Sequence, residues 1–288
     1  MRGAFVNTFK TTILLAFLGA VFIGIGAFFG TGGLVIGLVI GLVFVGSMFW
    51  FSDKIAVASA RAKPVSREEA PRLYEIVEDL ARRNDMPMPR LYISPQPQPN
   101  AFATGRGPKK AVVAVTQGIL EVLDDEELRR VLAHEMSHVR NRDILIGSVA
   151  AAIALAITFI ARIALFGAIF GGDDDDGGGN IIGLLALAIL APIAAGLIQL
   201  ALSRSREYQA DASGAHLIGE GEPLARALQK IEAYAKRVPM DVNPAEATAY
   251  IINPLTGRHV NFARLFSSHP PTEERVERLR NFDRTHAI

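Results

Sequence analysis

Residues 124–142 read DDEELRRVLAHEMSHVRNR and combine helix start signals with two regularly spaced histidines. Asp124 and Asp125 can cap a helix, and the two glutamates that follow suit its first turn, where acidic groups face the positive end of the helix dipole. Apolar residues then recur at helical spacing, at Leu128, Val131, Leu132 and Val139. The stretch therefore predicts an amphipathic helix over 124–142.

The predicted helix carries His134, Glu135 and His138. Histidines four residues apart lie one turn apart on the same face of a helix. Two imidazoles placed in this way can bind one zinc ion, and the glutamate between them can reach a water molecule at the metal. The alternative is an exposed helix that bears two histidines by chance. The capping residues and the apolar face favour the metal site.

A catalytic zinc site needs a third protein ligand, and no third histidine follows closely on the same segment. The candidates are Glu207 and Asp211, which lie four residues apart in SREYQAD at 205–211. One carboxylate can bind the metal while the other holds a ligating imidazole by its second nitrogen. Taken alone, the two residues also fit a solvated acidic pair on a surface helix.

The composition of the chain excludes several classes of function. Its 288 residues include 30 basic and 29 acidic ones, and the net charge of +1 argues against a nucleic-acid-binding protein. The absence of cysteine excludes disulfides, thiolate zinc sites, iron–sulfur clusters and a cysteine nucleophile. The mean hydropathy of +0.27 is high for a soluble protein and is concentrated in blocks. These blocks indicate a membrane protein.

The first apolar block, residues 11–52, contains no charged residue. One membrane-spanning helix needs about 20 apolar residues, so the block predicts two spans, at 11–29 and 33–51. We expect the turn between them near Gly30–Gly33. The alternative is a signal peptide, which the basic start of the chain suits. The length of the first span and the second span directly after it disfavour that alternative.

Two further apolar segments, Ile144–Gly172 and Ile181–Ser203, predict a second pair of spans. The polar, glycine-rich loop that joins them, residues 171–180, contains four aspartates. The alternative for these segments is a pair of buried core helices, which their length disfavours. Arg162 is the one charge within the third span, and it can reach the headgroups near the loop end.

Basic residues follow the second span, precede the third and follow the fourth, whereas the acidic loop between the third and fourth spans has none. They are Lys54, Arg61, Lys63, Arg67, Arg129, Arg130, Arg140, Arg142, Arg204 and Arg206. By the positive-inside rule, both termini and all the polar sequence are expected on the cytoplasmic side. The second hairpin would then bring the histidine helix and the Glu207 segment together at the same depth below the membrane.

The chain is thus expected to consist of four parts: an N-terminal transmembrane hairpin (1–52), a cytoplasmic part with the histidine helix (53–143), a second hairpin (144–203) and a cytoplasmic part with the third ligand (204–288). Within the cytoplasmic parts the sequence predicts helices near 67–84, at 223–237 and after Pro271. It also predicts an extended or looped segment at 86–99 and a short strand at 111–115.

These motifs together resemble the HtpX family of heat-shock-associated integral membrane zinc metalloproteases, whose wider family includes the CaaX prenyl endopeptidases. The resemblance covers essentially the whole chain and includes PNAFATG at 99–105 and SHPP at 268–271, which Arg275 follows. It implies a mostly α, polytopic membrane protein with four transmembrane helices and a cytoplasmic zincin-like α+β protease domain. The CaaX enzymes have more spans, so farnesylated substrates are not expected.

The resemblance also assigns roles to residues. It implies that His134, His138 and Glu207 bind one Zn²⁺ per chain and that Glu135 is the general base. It implies that Asp211 orients a ligand histidine, His134 in particular, through the ring nitrogen that does not bind the metal. Three weaker assignments are contacts of Asn100 and Arg275 with substrate, and oxyanion stabilisation or substrate binding by His269. The strand 111–115 is expected to accept an extended substrate by edge pairing, the alternative being a purely structural strand.

The function implied is that of a zinc endopeptidase in the inner membrane that cleaves misfolded or damaged membrane proteins and unfolded polypeptides at cytoplasmic or juxtamembrane segments. The lipid bilayer is its other expected partner, and nucleic acid is not. One alternative is a non-catalytic membrane scaffold or transporter with a structural metal, which would have no need of Glu135. Another is a maturation protease of narrow specificity.

Overall fold

The structure is a computed structural model that describes residues 2–27, 30–144, 146, 204–237 and 270–286. Almost all of the predicted third span, the fourth span, the loop between them and His269 lie outside the described residues. The chain divides into two compact units. One comprises Met1–Asn7, Trp50–Ile144 and Ser203–Ile288, and the other comprises Thr8–Phe49 and Leu145–Leu202.

Two long helices begin the chain, α1 (Arg2–Ala27) and α2 (Gly30–Ser59). Both contain segments long and apolar enough to cross a membrane, Phe5–Gly24 and Gly30–Phe51. The turn predicted near Gly30–Gly33 is wrong, because these residues already belong to α2. Gly30, the first residue of α2, takes a φ of 76°, which glycine adopts without steric cost.

A four-stranded mixed sheet lies between the helices of the larger unit, in the order β1 (Lys63–Pro64), β2 (Arg90–Ser94), β4 (Val112–Thr116), β3 (Ala101–Thr104). β2 and β4 are parallel, whereas β1 and β3 run antiparallel to their neighbours. All five residues of β4 are buried, as expected of a central strand.

The strand predicted at 111–115 is confirmed within one residue as β4, but its expected role in edge pairing is wrong. β4 already pairs with β2 on one side and with β3 on the other. Its backbone groups are therefore used within the sheet. Among the described strands, β3 is the one that leaves an edge open on the side of the histidine helix.

The predicted helices are confirmed with small shifts at their starts. α3 covers Pro71–Arg83 and begins at a proline, which suits the first position of a helix. A six-residue helix, α4 (Gln117–Val122), follows β4. The histidine helix is α5 (Asp125–Asn141), with Asp124 as its cap. In the second polar part, residues 204–218 form α6, Glu222–Arg237 form α7, and Thr272–His286 form α8.

One apolar core joins the sheet to the helices. α5 packs against α3, β3 and α7, and α7 packs against α8. Fully buried side chains of α5, including Leu128, Leu132 and Met136, point into this core. Because α5 is covered by elements from both polar parts of the sequence, its position is fixed by residues far apart in the chain.

Helix α8 docks onto the start of α7 through Asp283. Its carboxylate accepts hydrogen bonds from the backbone nitrogens of Gly221 (2.6 Å) and Glu222 (2.8 Å). Gly221 permits this approach, because a Cβ atom there would lie 2.7 Å from the carbonyl oxygen of Leu279. The capping interaction sets the position of α8 and of the residues at its other end.

The start of α1 contacts the end of α5. The side-chain nitrogen Nδ2 of Asn7 donates a hydrogen bond to the carbonyl oxygen of Asn141, 2.9 Å away. Asn7 is buried, although α1 is otherwise largely exposed in this region. The last carbonyl groups of a helix have no donor within the helix. The side-chain amide of Asn7 supplies a donor for one of these carbonyl groups, that of Asn141.

The first prediction concerns the cap of α5. Asp124 accepts from the backbone nitrogen of Glu127 (2.9 Å), and the side chain of Glu127 accepts from the backbone nitrogen of Asp124 (3.2 Å). We expect Asp124→Ala to lower the free energy of unfolding by about 1 kcal/mol, because a backbone donor loses its acceptor. Denaturant unfolding in detergent measures this change. Asp124→Asn, which can still cap, is the matched control, and equal losses in both variants would contradict the capping role.

Candidate metal centre

Helix α5 places His134, Glu135 and His138 inside the protein. The side chains of His134 and Glu135 are buried, and that of His138 is 15% exposed. The capping box fixes the start of the helix, and its apolar face anchors it in the core. The histidines therefore reach the site from a backbone that is held along its whole length.

Helix α6 passes beside this part of α5 and brings Glu207 and Asp211 to the two histidines. The approach depends on Gly214, which lies one further turn along the same face of α6. A Cβ atom at this position would lie 3.3 Å from the backbone nitrogen of His134. The lack of a side chain at Gly214 thus lets the two helices come close where the ligands meet.

The three candidate ligands converge on one point. The Nε2 atoms of His134 and His138 are 3.3 Å apart. Glu207 contacts both rings, with Oε2 3.4 Å from His134 Nε2 and Oε1 3.6 Å from His138 Nε2. One ligand atom from each residue lies within 4.8 Å of the other two. A single metal ion can therefore be bound by all three side chains.

A carboxylate lies behind each imidazole. Asp211 Oδ1 is 2.9 Å from His134 Nδ1, a distance typical of an ion pair, although the contact lacks the direction of a good hydrogen bond. Asp143 accepts from His138 Nδ1 at 3.1 Å. A carboxylate at Nδ1 keeps the proton of a neutral ring there and leaves Nε2 free to bind a metal.

Arg275, from the start of α8, holds Asp211 in place. Its Nε and Nη2 atoms donate to the two carboxylate oxygens of Asp211, at 2.8 and 2.7 Å. Burial alone would raise the pKa of Asp211, but Arg275 and His134 lower this pKa to about 2. Asp211 therefore stays ionised and can hold its imidazole partner at neutral pH.

The electrostatics of the site favour a cation between the ligands. Burial disfavours a charged imidazole, yet the carboxylates of Asp211 and Glu207 outweigh it and raise the pKa of His134 to about 10. The pKa of His138 is also raised, because the carboxylate of Asp143 outweighs the lowering effect of burial. When a metal ion binds, rings that attract a proton this strongly lose it to the solvent, and the metal ion supplies the positive charge instead.

The charges around the cluster fit a divalent ion. Among the residues that the structure describes, four carboxylates are buried here, and two guanidinium groups, those of Arg206 and Arg275, accompany them. The carboxylates are those of Glu135, Asp143, Glu207 and Asp211. With both imidazoles neutral, these groups leave an excess of two negative charges. Two nitrogen ligands and one carboxylate also match the three-ligand sets of catalytic zinc sites.

Glu135 lies between the ligand cluster and the sheet. Its Oε2 accepts a hydrogen bond from the backbone nitrogen of Ala103 on β3, 3.1 Å away. Burial raises the pKa of Glu135, and the two histidines act against this effect. A carboxylate with a raised pKa takes up a proton more readily than an exposed one, as a general base requires.

Of the weaker candidates, the structure places Arg275 at the site, whereas the contacts described for Asn100 are with Thr116. Asn100 is buried directly before β3, and its backbone carbonyl accepts from the hydroxyl and the backbone nitrogen of Thr116. Arg275 is buried and bound to Asp211, with Nη1 3.9 Å from Glu207. The roles of Asn100 and Arg275 in substrate binding stay predictions, and His269 lies outside the described residues.

Three functional features escaped the sequence analysis. Asp143 could have been noticed as an acidic residue five positions after His138, the spacing at which a chain leaving a helix can fold back. Gly214 could have been noticed as the next member of the Glu207 and Asp211 face. The contact between Ala103 and Glu135 has no signal in the sequence, because it depends on how the sheet lies against α5.

A buried cluster of two histidines and a glutamate, with a further carboxylate next to it, defines the site of a metallopeptidase. Residues 67–283 match peptidase family M48, and the chain belongs to this family.

Relatives of known name agree along nearly the whole chain. A protein of Pelotomaculum thermopropionicum, named Protease HtpX homolog, is 51% identical over 278 residues, which are 95% of this chain and 98% of the relative. The protein of the same name from Syntrophobacter fumaroxidans is 51% identical over 281 residues, 96% of this chain and 99% of the relative. The resemblance to the HtpX family is thus confirmed.

A solved structure shares the fold. The crystal structure of S. mikatae Ste24p superposes with a TM-score of 0.57 at 21% sequence identity, over 97% of this chain and 67% of that one. The mostly helical architecture of this chain is therefore shared with that structure.

The second prediction concerns the contact of Gly214 with α5. We expect Gly214→Val to weaken metal binding at least tenfold, since the added side chain forces α6 away from the backbone of His134. Equilibrium dialysis against buffered zinc measures the affinity. Gly46→Val is the matched control, because a Cβ atom at Gly46 meets nothing within 4 Å. Unchanged zinc affinity in the Gly214 variant would contradict the role given to this close approach.

Proposed function

We propose that this protein is a zinc endopeptidase of the inner membrane that cleaves misfolded or damaged membrane proteins at cytoplasmic or juxtamembrane segments. Membership of the M48 family makes it a metallopeptidase. Support for zinc comes from the ligand set of His134, His138 and Glu207. The observation that carries the proposal is the position of Glu135, a buried carboxylate beside this ligand set.

Glu135 distinguishes a catalytic site from a structural one. A structural zinc site is closed by four protein ligands, whereas a catalytic site has three and keeps one position open. Three candidate ligands meet here within the described part of the chain, and Glu135 directly follows the first of them, His134, without belonging to the ligand group. A buried acid in this place serves no purpose in a site that only stabilises the fold.

The chemistry follows from these positions. A bound zinc ion would lower the pKa of a water molecule to about 7 and polarise the carbonyl group of the scissile peptide. Glu135 would accept the proton of the attacking water and deliver it to the leaving amine. His134 and His138 would stay neutral and keep their orientation, because Asp211 and Asp143 hold their Nδ1 atoms.

The open edge of β3 is the proposed binding place for an extended substrate. The backbone nitrogen of Ala103 points away from β4, since it donates to Glu135. A peptide lying along this side of β3 would pair with its backbone and pass directly by the general base. Recognition through backbone groups depends little on sequence, which suits substrates as diverse as damaged proteins.

Three further residues are proposed to act on the substrate. Asn100 precedes β3 and would contact the substrate backbone at the same edge. His269 would stabilise the oxyanion or bind substrate. Arg275 would assist in substrate binding from its place beside Asp211 and Glu207. These three roles come from the family resemblance and are the first to be revised by mutagenesis.

The proposed location follows from the helices at the start of the chain. α1 and α2 would form the first of two transmembrane hairpins, and residues 144–203 the second. Residues 53–143 and 204–288 would together form the zincin-like protease domain on the cytoplasmic side, with both termini. A site held this close to the bilayer would reach polypeptides that emerge from the membrane, and cleavage of such polypeptides is a task of protein quality control under stress.

The third prediction tests Glu135 directly. We expect Glu135→Gln to reduce cleavage of an unfolded model protein by roughly 10²–10⁴-fold, because the amide cannot accept the proton of the attacking water. The full-length protein is purified in detergent, and the products are identified by mass spectrometry. Zinc content should remain at one ion per chain, since Glu135 is outside the ligand group.

The matched control is Glu126→Gln, an exposed glutamate on the same helix, which should cleave like the unaltered protein. Equal activity of the Glu135 variant would show that another base operates. Products that appear one residue at a time from an end would contradict endoproteolysis. Cleavage of one defined protein and of no unfolded one would instead support a maturation protease of narrow specificity.

The fourth prediction concerns the metal. A chelator should abolish cleavage, and stoichiometric zinc should restore it, because the ligand group holds one ion. Glu207→Ala should retain well below one zinc per chain after dialysis, since two imidazoles alone bind the ion more weakly. Glu273→Ala, at an exposed position of α8, is the control. Full zinc content in the Glu207 variant would rule out Glu207 as the third ligand.

A further inference from the structure

Asp143 lies just beyond the end of α5 with its carboxylate turned back onto His138. It is 1% exposed, and its Oδ1 and Oδ2 atoms lie 3.1 and 3.2 Å from His138 Nδ1. Both oxygens thus share one ring nitrogen. A carboxylate is seldom buried this completely without a partner of its own, and here the described partner is an imidazole.

The backbone at the end of α5 brings Asp143 to this position. Arg142 takes left-handed angles, φ 54° and ψ 38°, which reverse the chain. The backbone nitrogen of Asp143 then donates to the carbonyl oxygen of His138, 3.3 Å away. The main chain and the side chain of Asp143 therefore both contact the same residue of the helix.

The left-handed conformation of Arg142 is unfavourable for a residue with a side chain. Glycine is the usual residue at such helix ends and would avoid this cost. The surrounding contacts compensate for it, and one of them is the contact between Asp143 and His138. The helix thus ends in the one conformation that returns an acid to the second histidine.

Asp143 also contacts the helix that carries the third ligand. Nη1 of Arg206 donates to the backbone carbonyl of Asp143, 3.0 Å away, and Arg206 directly precedes Glu207. The side chain of Asp143 therefore contacts His138, and its backbone carbonyl contacts Arg206, the residue before Glu207. These two contacts are chemically independent, because substitution of the side chain leaves the carbonyl in place.

We propose that Asp143 is a positioning residue for His138, holding its Nδ1–H so that Nε2 points to the metal, as Asp211 does for His134. The proposal rests on the metal site of the proposed function. In this arrangement each imidazole has its own acid: one from α6, backed by Arg275, and one from the end of α5 itself. Neither ring can then rotate without breaking a charged contact.

The test measures metal binding and metal geometry, so that it does not depend on peptide cleavage. We expect Asp143→Ala to raise the zinc dissociation constant 10–100-fold, as is usual when the hydrogen-bond partner of a ligand histidine is lost. Asp143→Asn should raise it several-fold, since an amide oxygen can accept the Nδ1 proton but carries no charge. In the cobalt-substituted protein, the visible absorption bands should shift in both variants, because they report the orientation of the ligands.

Asp85→Asn is the matched control, since Asp85 also follows a helix end and also has a positive φ, 51°, but is exposed. It should bind zinc like the unaltered protein. The near-isosteric Asn variant decides the outcome if the Ala variant does not fold. Zinc affinity within twofold of the unaltered protein and an unchanged cobalt spectrum in Asp143→Asn would overturn the proposal. Tight zinc binding without any cleavage would refute the proposed function and leave this inference standing.

Discussion

The buried imidazole rings of His134 and His138 must both present their Nε2 atoms to the position of one metal ion, and the rest of the site serves this requirement. The Nε2 atoms of His134 and His138 are 3.3 Å apart, and both must be free of a proton for the two rings to bind one metal ion. Acids on the far side of each ring, Asp211 and Asp143, draw the protons to Nδ1. Asp211 is buried and is paired in turn with the guanidinium group of Arg275.

This requirement explains why the site is assembled from distant parts of the chain. Arg275 lies 64 residues after Asp211, and its place is set by the docking of α8 onto α7. Asp283, at the far end of α8, therefore supports the metal site without touching it. Gly214 has a comparable effect, because a side chain there would press on the backbone of His134, 3.3 Å from its Cβ atom, where α6 brings Glu207 to the histidines. Residues far from the chemistry thus determine its geometry.

The sequence predicted the parts of the fold that have a periodic or a chemical signal. The limits of α5 and its cap at Asp124 follow from spacing and residue type, whereas spacing left both Glu207 and Asp211 open as the third ligand and the family resemblance selected Glu207. The role of β4 did not follow, because strand order is set by tertiary packing, and an apolar pentapeptide suits an edge and a centre alike. Similarly, a string of glycines predicted a turn at Gly30–Gly33, whereas α2 includes those residues.

The hydrogen bond from Asn7 to the last residue of α5 bears on how the protein can be divided. Removing α1 and α2 to obtain a shorter peptidase would leave the carbonyl of Asn141 without this donor, one residue before the left-handed Arg142. The turn that returns Asp143 to His138 begins at this carbonyl. Asn7 therefore supports the backbone beside the site and also belongs to an apolar helix long enough to cross a membrane, and a shortened chain needs a replacement for its amide.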